Sequence, residues 1–369
     1  MRPVMLCAAT ALSVLLAACA AQGPQRLRGE RFNYNEVISA TSKEQMLANI
    51  VRFRYLDFPV FMAVSSVITS YSFEGGVGVG GTSGLSEALG GDIASVDANV
   101  AYAERPTITY APLSGEQFTV RMLDPIPVQA IFALGQTGWD VELLLLTGIN
   151  RINDVENLSF EVDPSSDRAE RRQRSRRDIE QLQRFRRVIE LFLSLLEQEA
   201  IELQRSENES RLAMLVFDDD VATELRHQVA EFKHLLDLAP DRDVFRVTTR
   251  LTRRKPDEIA IHSRSLLAII SFVSKGVDVP DSHVSAGWVE VFPEPDVGTE
   301  DVILPLRVHS QKERPANAFC AVRYQGHWFY VDQADLESKA VFQMLLALFE
   351  LQAPTGGAVA PLLTLPAGG

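Results

Sequence analysis

Covalent or metal chemistry in this sequence would have to come from three cysteines and six histidines. Cys320, in Asn317-Ala318-Phe319-Cys320-Ala321-Val322, lies in an apolar stretch with nothing beside it to lower its pKa, so it reads as a buried strand residue rather than a nucleophile. His227, Glu231 and His234 have offsets of four and three, which stack them on adjacent turns of one helix as metal ligands would be. Their H-x-x-x-E-x-x-H order is not that of a zinc protease, no fourth ligand accompanies them, and solvated helix faces carry such triplets without metal. Gly76, Gly78 and Gly81 satisfy G-x-G-x-x-G, yet a dinucleotide site needs a helix opening at the third glycine, and the next long stretch alternates like a strand. No G-x-S-x-G occurs, and the histidines are scattered. Arg323, His327, Trp328, Tyr330 and Asp332 cluster in sequence, where hairpin alternation accounts for them. The expectation is a protein with no metal, cofactor or catalytic residue, and not an enzyme.

Cys19 has the most specific context. Arg2 gives a positive start, Val4 to Leu16 an apolar run, and small residues lead into Cys19, the order of a secretory signal. Leu16-Ala17-Ala18-Cys19 also resembles the bacterial lipobox. The resemblance implies a signal peptide over residues 1–18, cleavage before Cys19, diacylation of its thiol and acylation of its amine; an ordinary signal cleaved near Ala-x-Ala is the alternative. Each buried methylene contributes about 0.8 kcal/mol, so several acyl chains hold durably where one does not. Ala20, not Asp, follows the cysteine, so the resemblance implies the outer membrane, with the body on the periplasmic side.

With Cys7 lost in the signal and Cys19 acylated, Cys320 has no disulfide partner, and stability must come from packing. The net charge of −13 disfavours nonspecific nucleic-acid binding. With 46% apolar residues the chain can bury one large core or two smaller ones, and after Cys19 no apolar run reaches the roughly 20 residues of a spanning helix.

The expected organisation is α+β. After a lipidated Cys19 and a tether over 19–31, able to stretch about 40 Å at about 3.4 Å per residue, residues 32–162 form an N-terminal α+β region, 163–240 an Arg-rich helical segment and 241–351 a C-terminal antiparallel sheet covered by helices. Residues 352–369, rich in Pro, Gly and Ala, read as a disordered tail. Asn35 to Tyr55 carries an amphipathic helical period. Pro106 to Pro127 reads as short strand-like pieces, including Gln117 to Met122, and Trp139 to Leu146 as a buried strand or helix. Strands are expected at 244–251, 258–263, 288–292, 302–309, 319–324 and 327–331, with a helix from Arg264 to Lys275 closed by Gly276.

Two segments carry candidate surfaces. Residues 60–81 and 96–110 alternate with period two, placing Tyr71, Phe73, Val77 and Val79 on one face of a first strand and Val96, Val100 and Tyr102 on one face of a second. One reading lays this Gly-rich long hairpin on a soluble core; the other makes it an amphipathic hairpin that each subunit gives to a membrane barrel. In the second segment nine arginines lie between 168 and 187, early in a helix whose dipole they oppose, beside the stripe Leu182, Phe185, Ile189, Phe192 and Leu196. They form either a solvated, ion-paired face or, through Arg171, Arg172, Arg174, Arg176 and Arg177, a dock for an anionic surface.

Several stretches together resemble an uncharacterised family of proteobacterial lipoproteins: Gln45-Met46-Leu47-Ala48-Asn49-Ile50-Val51-Arg52 with Pro59-Val60-Phe61, Thr107 to Pro112, Arg264-Ser265-Leu266-Leu267, and Tyr324-Gln325-Gly326-His327-Trp328-Phe329-Tyr330-Val331-Asp332 running into Ser338-Lys339. The resemblance implies an envelope lipoprotein and no particular activity. The expectation is a non-enzymatic, lipid-anchored structural or assembly component with protein partners or further copies of itself, or alternatively a homo-oligomeric export pore built from residues 64–81 and 93–110.

Overall fold

The structure, a computed structural model, describes residues 22–81, 94–158, 167–205, 213–218, 223–249, 255–289 and 304–352. It is a mixed α/β fold with several antiparallel sheets, its described residues falling in two compact units: those of 22–59 with 114–352, and those of 60–113.

In the first unit, helix α1 (Gln22–Arg54) buries its C-terminal part, where Met46, Leu47, Ile50 and Val51 recur at helical spacing. Its described residues upstream are largely exposed, Phe32 and Val37 among them. The stretch expected as an extended tether is helical from Gln22. Helices α2 (Glu116–Leu123), α3 (Val128–Gln136) and α4 (Val141–Gly148) follow. Residues 117–122 are therefore helix, not strand, and the ambiguous 139–146 is settled by Asp140, whose carboxylate accepts from the Leu143 N–H at 3.2 Å and starts α4.

A six-stranded sheet has the order β4-β3-β8-β7-β6-β5, from β3 (Ile149–Ile152), β4 (Val155–Glu156), β5 (Ile201–Arg205), β6 (Ala213–Phe217), β7 (Val244–Thr248) and β8 (Glu258–Ser263). Only β7 and β8 run parallel. The sheet draws strands from all three segments 32–162, 163–240 and 241–351 and so joins them in the first unit, apart from residues 60–113, which belong to the second. Helix α5 (Arg168–Glu197) starts at a capping box in which Asp167 accepts from the Glu170 N–H and Glu170 from the Asp167 N–H. It buries Ile179, Leu182, Phe185, Val188, Ile189, Leu191 and Leu195 and packs on α6 (Thr223–Leu235); Leu196, expected in the stripe, is exposed.

The hub is α7 (Leu266–Ser274), apolar nearly all round and in contact with α1, α2, α4 and the last helix, α9 (Leu336–Gln352). Ser265 caps it by accepting from the Ala268 N–H. Gly276 follows, without the positive φ of a C-terminal cap; a Cβ there would lie 1.8 Å from the Leu306 carbonyl oxygen, so close backbone approach is what requires glycine. Short helix α8 (Asp281–Ser285) and the three-stranded sheet β10-β11-β9 complete the unit, from β9 (His309–Gln311), β10 (Ala318–Tyr324) and β11 (His327–Asp332). The expected strand 302–309 is mostly irregular where described, and Trp288 and Val289 form a bend.

A buried polar network ties β3, β8 and α4 together. Arg264 donates through one nitrogen to the carbonyls of Leu146, Thr147 and Ile149 at 3.1–3.2 Å and through another to that of Leu158 at 2.6 Å, with its guanidinium 4.0 Å from the Phe272 ring. Asn157 donates to the Leu146 and Ile149 carbonyls, while Asn153, at φ +50°, donates to the Leu236 carbonyl and accepts from the Ala260 N–H. The Leu146, Thr147 and Ile149 carbonyls end α4 and begin β3, where helix bonding has stopped and strand bonding is incomplete.

The second unit is the ladder of β1 (Phe61–Gly81) and β2 (Ala94–Leu113), antiparallel from Phe61–Leu113 to Gly81–Ala94 with one bulge between Val64 and Ser66.

Candidate functional site

Two places gather what function needs. The first is the ladder. Its sheet has only these two strands among the described residues, so each strand offers one edge of N–H and C=O groups without a neighbouring strand. The register sets Tyr71 opposite Glu104, Phe73 opposite Tyr102, Val77 opposite Ala98 and Val79 opposite Val96, with Val100 opposite Gly75. Even positions of β2 from 96 to 110 form one alternation that ends in Ile108, opposite Val67, and Tyr110, opposite Val64. Ile108 and Tyr110 are 40% and 54% exposed, so this alternation is apolar and open to solvent where its side chains are described. Gly76, Gly78 and Gly81 all lie on β1, with no helix opening at the third glycine within the described residues. A strand does not offer the clustered helix-terminal N–H groups that hold a pyrophosphate.

The second place joins α1 to α8 and the β10–β11 turn. The Tyr55 hydroxyl and Nδ1 of His283 share a hydrogen bond of 2.7 Å, whose donor is set by the tautomer of the ring. Trp288 lies 4.6 Å and His327 4.8 Å from the His283 ring, centroid to centroid, and Tyr55 meets Tyr324 and Phe329 edge-on. The Tyr324 hydroxyl donates to the Asp57 carboxylate. Nδ1 of His327 is buried with no hydrogen-bond partner among the described residues. Burial, with His327 beside it, pushes the His283 pKa down, and burial pushes Tyr55 up to about 12. Together with Trp288, Tyr324, His327 and Phe329 they form an aromatic seam. Sequence reading passed over Tyr55, Asp57 and His283. Tyr55 and His283 stand 228 residues apart, and no local pattern joins them.

The remaining sequence candidates are dispersed. Cys19 lies outside the described residues. Among the arginines of α5, Arg176 and Arg177 are exposed, whereas Arg171, Arg172 and Arg174 are half-buried and engaged, so the five do not form one uniform face. Arg187 donates to both carboxylate oxygens of Glu231 at 2.8 Å and also to Glu190; its hydrogen bond holds the Glu231 carboxyl below its usual range. Glu231 is thereby committed to an ion pair between α5 and α6, with His227 and His234 exposed on either side, and no metal-ligand cluster occurs among the described residues. Cys320 is buried, and burial pushes its thiol up to about 12, which leaves it inert. The cluster near the β10–β11 turn divides by alternation: His327 joins the seam, whereas Trp328 lies under the Arg314 guanidinium and Tyr330 against His309. A groove of about 500 Å³ beside α6 includes Lys233, whose ammonium donates to the Pro240 and Arg242 carbonyls and to Asp243 while lying over Phe217. That cation is already fully used. Comparison with family models, curated proteins and solved structures returned no match.

Proposed function

We propose that this chain is a non-enzymatic, lipid-anchored component of the cell envelope, attached through Cys19 at the outer membrane, and that it works as a structural or assembly subunit. The observation that carries this reading is the ladder. Strands of 21 and 20 residues with no third strand among the described residues make a two-stranded sheet far longer than such a sheet sustains alone, so its stability calls for partners. The lipobox resemblance at Leu16 to Cys19 supplies the anchor. The acid-base side chains that the described residues gather, Tyr55 and His283, are sealed into packing, which favours a structural role.

The test has two readouts. Labelled palmitate incorporated into the wild type and absent from Cys19→Ser, with release of that variant from membranes, supports the anchor; an unlabelled wild type overturns it. A particle extracted in mild detergent with a mass that is a multiple of the chain, or that includes a second protein, supports the assembly role; a bare monomer overturns it. The exposed apolar alternation ending in Ile108 and Tyr110 favours one specific form of assembly, a homo-oligomeric export pore in which each subunit gives residues 64–81 and 93–110 to a barrel wall.

A further inference from the structure

The ladder is too long for a membrane. Its 20-residue strand spans about 66 Å at about 3.3 Å per residue, whereas a spanning strand uses about 9–11 residues. Lipid also imposes a backbone rule that water does not: every N–H and C=O in the hydrocarbon must be paired, because no solvent can substitute. The two strands obey that rule over only part of their length. From Tyr71–Glu104 to Gly81–Ala94 neither strand contains proline, so every edge group there can bond to a neighbour. Below that point β2 carries Pro106, opposite Thr69, and Pro112, opposite Met62, and β1 carries its bulge between Val64 and Ser66. A proline survives within a ladder where its nitrogen faces an edge that water can serve, and bulges favour barrel rims. Glu104 and Arg105 stand at the junction between the two zones.

Resting on the pore reading, we propose that a further copy of this chain pairs with each open edge of the ladder, and that only the rows from Tyr71–Glu104 to Gly81–Ala94 reach lipid. The rows from Phe61 to Ser70 continue the same wall in water. The lipid zone holds eleven residues of each strand, about 36 Å of strand, which at a tilt near 45° matches an apolar band about 25 Å tall. Its alternation reads Tyr71, Phe73, Gly75, Val77 and Val79 against Val96, Ala98, Val100 and Tyr102, with aromatics at one border and Glu104, opposite Tyr71, at the interface there. The opposite alternation supplies Ser72, Glu74, Ser95, Asp97 and Asn99, the polar set of a water-filled lumen.

Proline substitution tests the two zones with the full-length lipidated protein. Ala98 shares the parity of Pro106 and Pro112, so Ala98→Pro removes a donor from the open edge and leaves the β1–β2 bonds intact. Ile108→Pro does the same in the lower zone. The expected result is loss of the assembled particle in Ala98→Pro and its retention in Ile108→Pro. Assembly of both variants overturns edge pairing, and loss of both overturns the boundary. A monomeric wild type defeats the pore reading itself, a distinct outcome. A second measurement uses Val67→Cys and Val77→Cys, which fall on one alternation, in intact membranes with a water-soluble maleimide. Cys320, buried and inert, leaves a silent background. Labelling at 67 and protection at 77 is expected. Equal labelling overturns the lipid zone, and protection at 67 overturns the boundary.

Discussion

The carbonyls around Arg264 and the strand edges of β1 and β2 are the same chemical groups under opposite regimes. In the larger unit, the carbonyls of Leu146, Thr147, Ile149 and Leu158 have no continuous helix or sheet to serve them, and one guanidinium with one asparagine serves them instead. In the ladder, strands of 21 and 20 residues each have one edge with no neighbouring strand among the described residues. The first region closes its hydrogen bonding within the chain; the second, on the proposed reading, leaves it for a further copy. Substitutions in the two regions should therefore register in different measurements, stability for the first and assembly for the second.

Arg264→Met separates them most sharply. It removes a donor from four carbonyls, of which Leu146 and Ile149 keep Asn157; leaving the Thr147 and Leu158 carbonyls unserved costs about 1–3 kcal/mol each, so a loss of about 4 kcal/mol or failure to fold is expected in urea denaturation. A change below about 1 kcal/mol would mean that water serves the carbonyls equally well. Asn153→Ala comes next: it removes the bonds to Leu236 and Ala260 and puts alanine at φ +50°, an expected loss of about 2–3 kcal/mol by the same assay. His283 should show itself through pH. Its folded pKa is depressed, so its neutral ring contributes stability in full above about 6.5, and that contribution fades as pH falls through the lower folded value. The melting temperature of the wild type should drop more between pH 7 and pH 5 than that of His283→Gln; parallel curves would remove His283 as the cause. The smallest effect is expected at Glu231→Gln, where a mostly exposed ion pair contributes about 0.5 kcal/mol and fades further in high salt. None of the four should alter the mass of the extracted particle.

What the sequence discloses follows the range of the interactions. Gln325-Gly326 reads as a two-residue turn because such a turn needs positive φ at both positions, and both have it. Asp140 settles a helix where periodicity alone was undecided, since a cap is a contact over three residues. Gly276 misleads: glycine after a helix suggests a left-handed cap, whereas the constraint comes from Leu306, thirty residues on. The arginines of α5 mislead in the same way. Composition shows nine like charges in a row of turns, but only the packing of α5 on α6 shows that Arg187 belongs to Glu231. The aromatic seam at Tyr55 and His283 was invisible because each of its members is unremarkable among its sequence neighbours.

Helix α1 alters the mechanics of the anchor proposed at Cys19. A flexible leash would let the attachment point wander over a volume set by chain statistics. A helix beginning at Gln22 and entering the core near Met46 acts as a strut instead, about 36 Å long at about 1.5 Å per residue. The distance from anchor to core is then set by counting residues. Deleting seven residues, about two turns, from its exposed part keeps the helical phase and shortens the stand-off by about 10 Å. Deleting five shortens it less but swings the anchor by more than a quarter of a turn about the helix axis, so orientation and height can be varied separately.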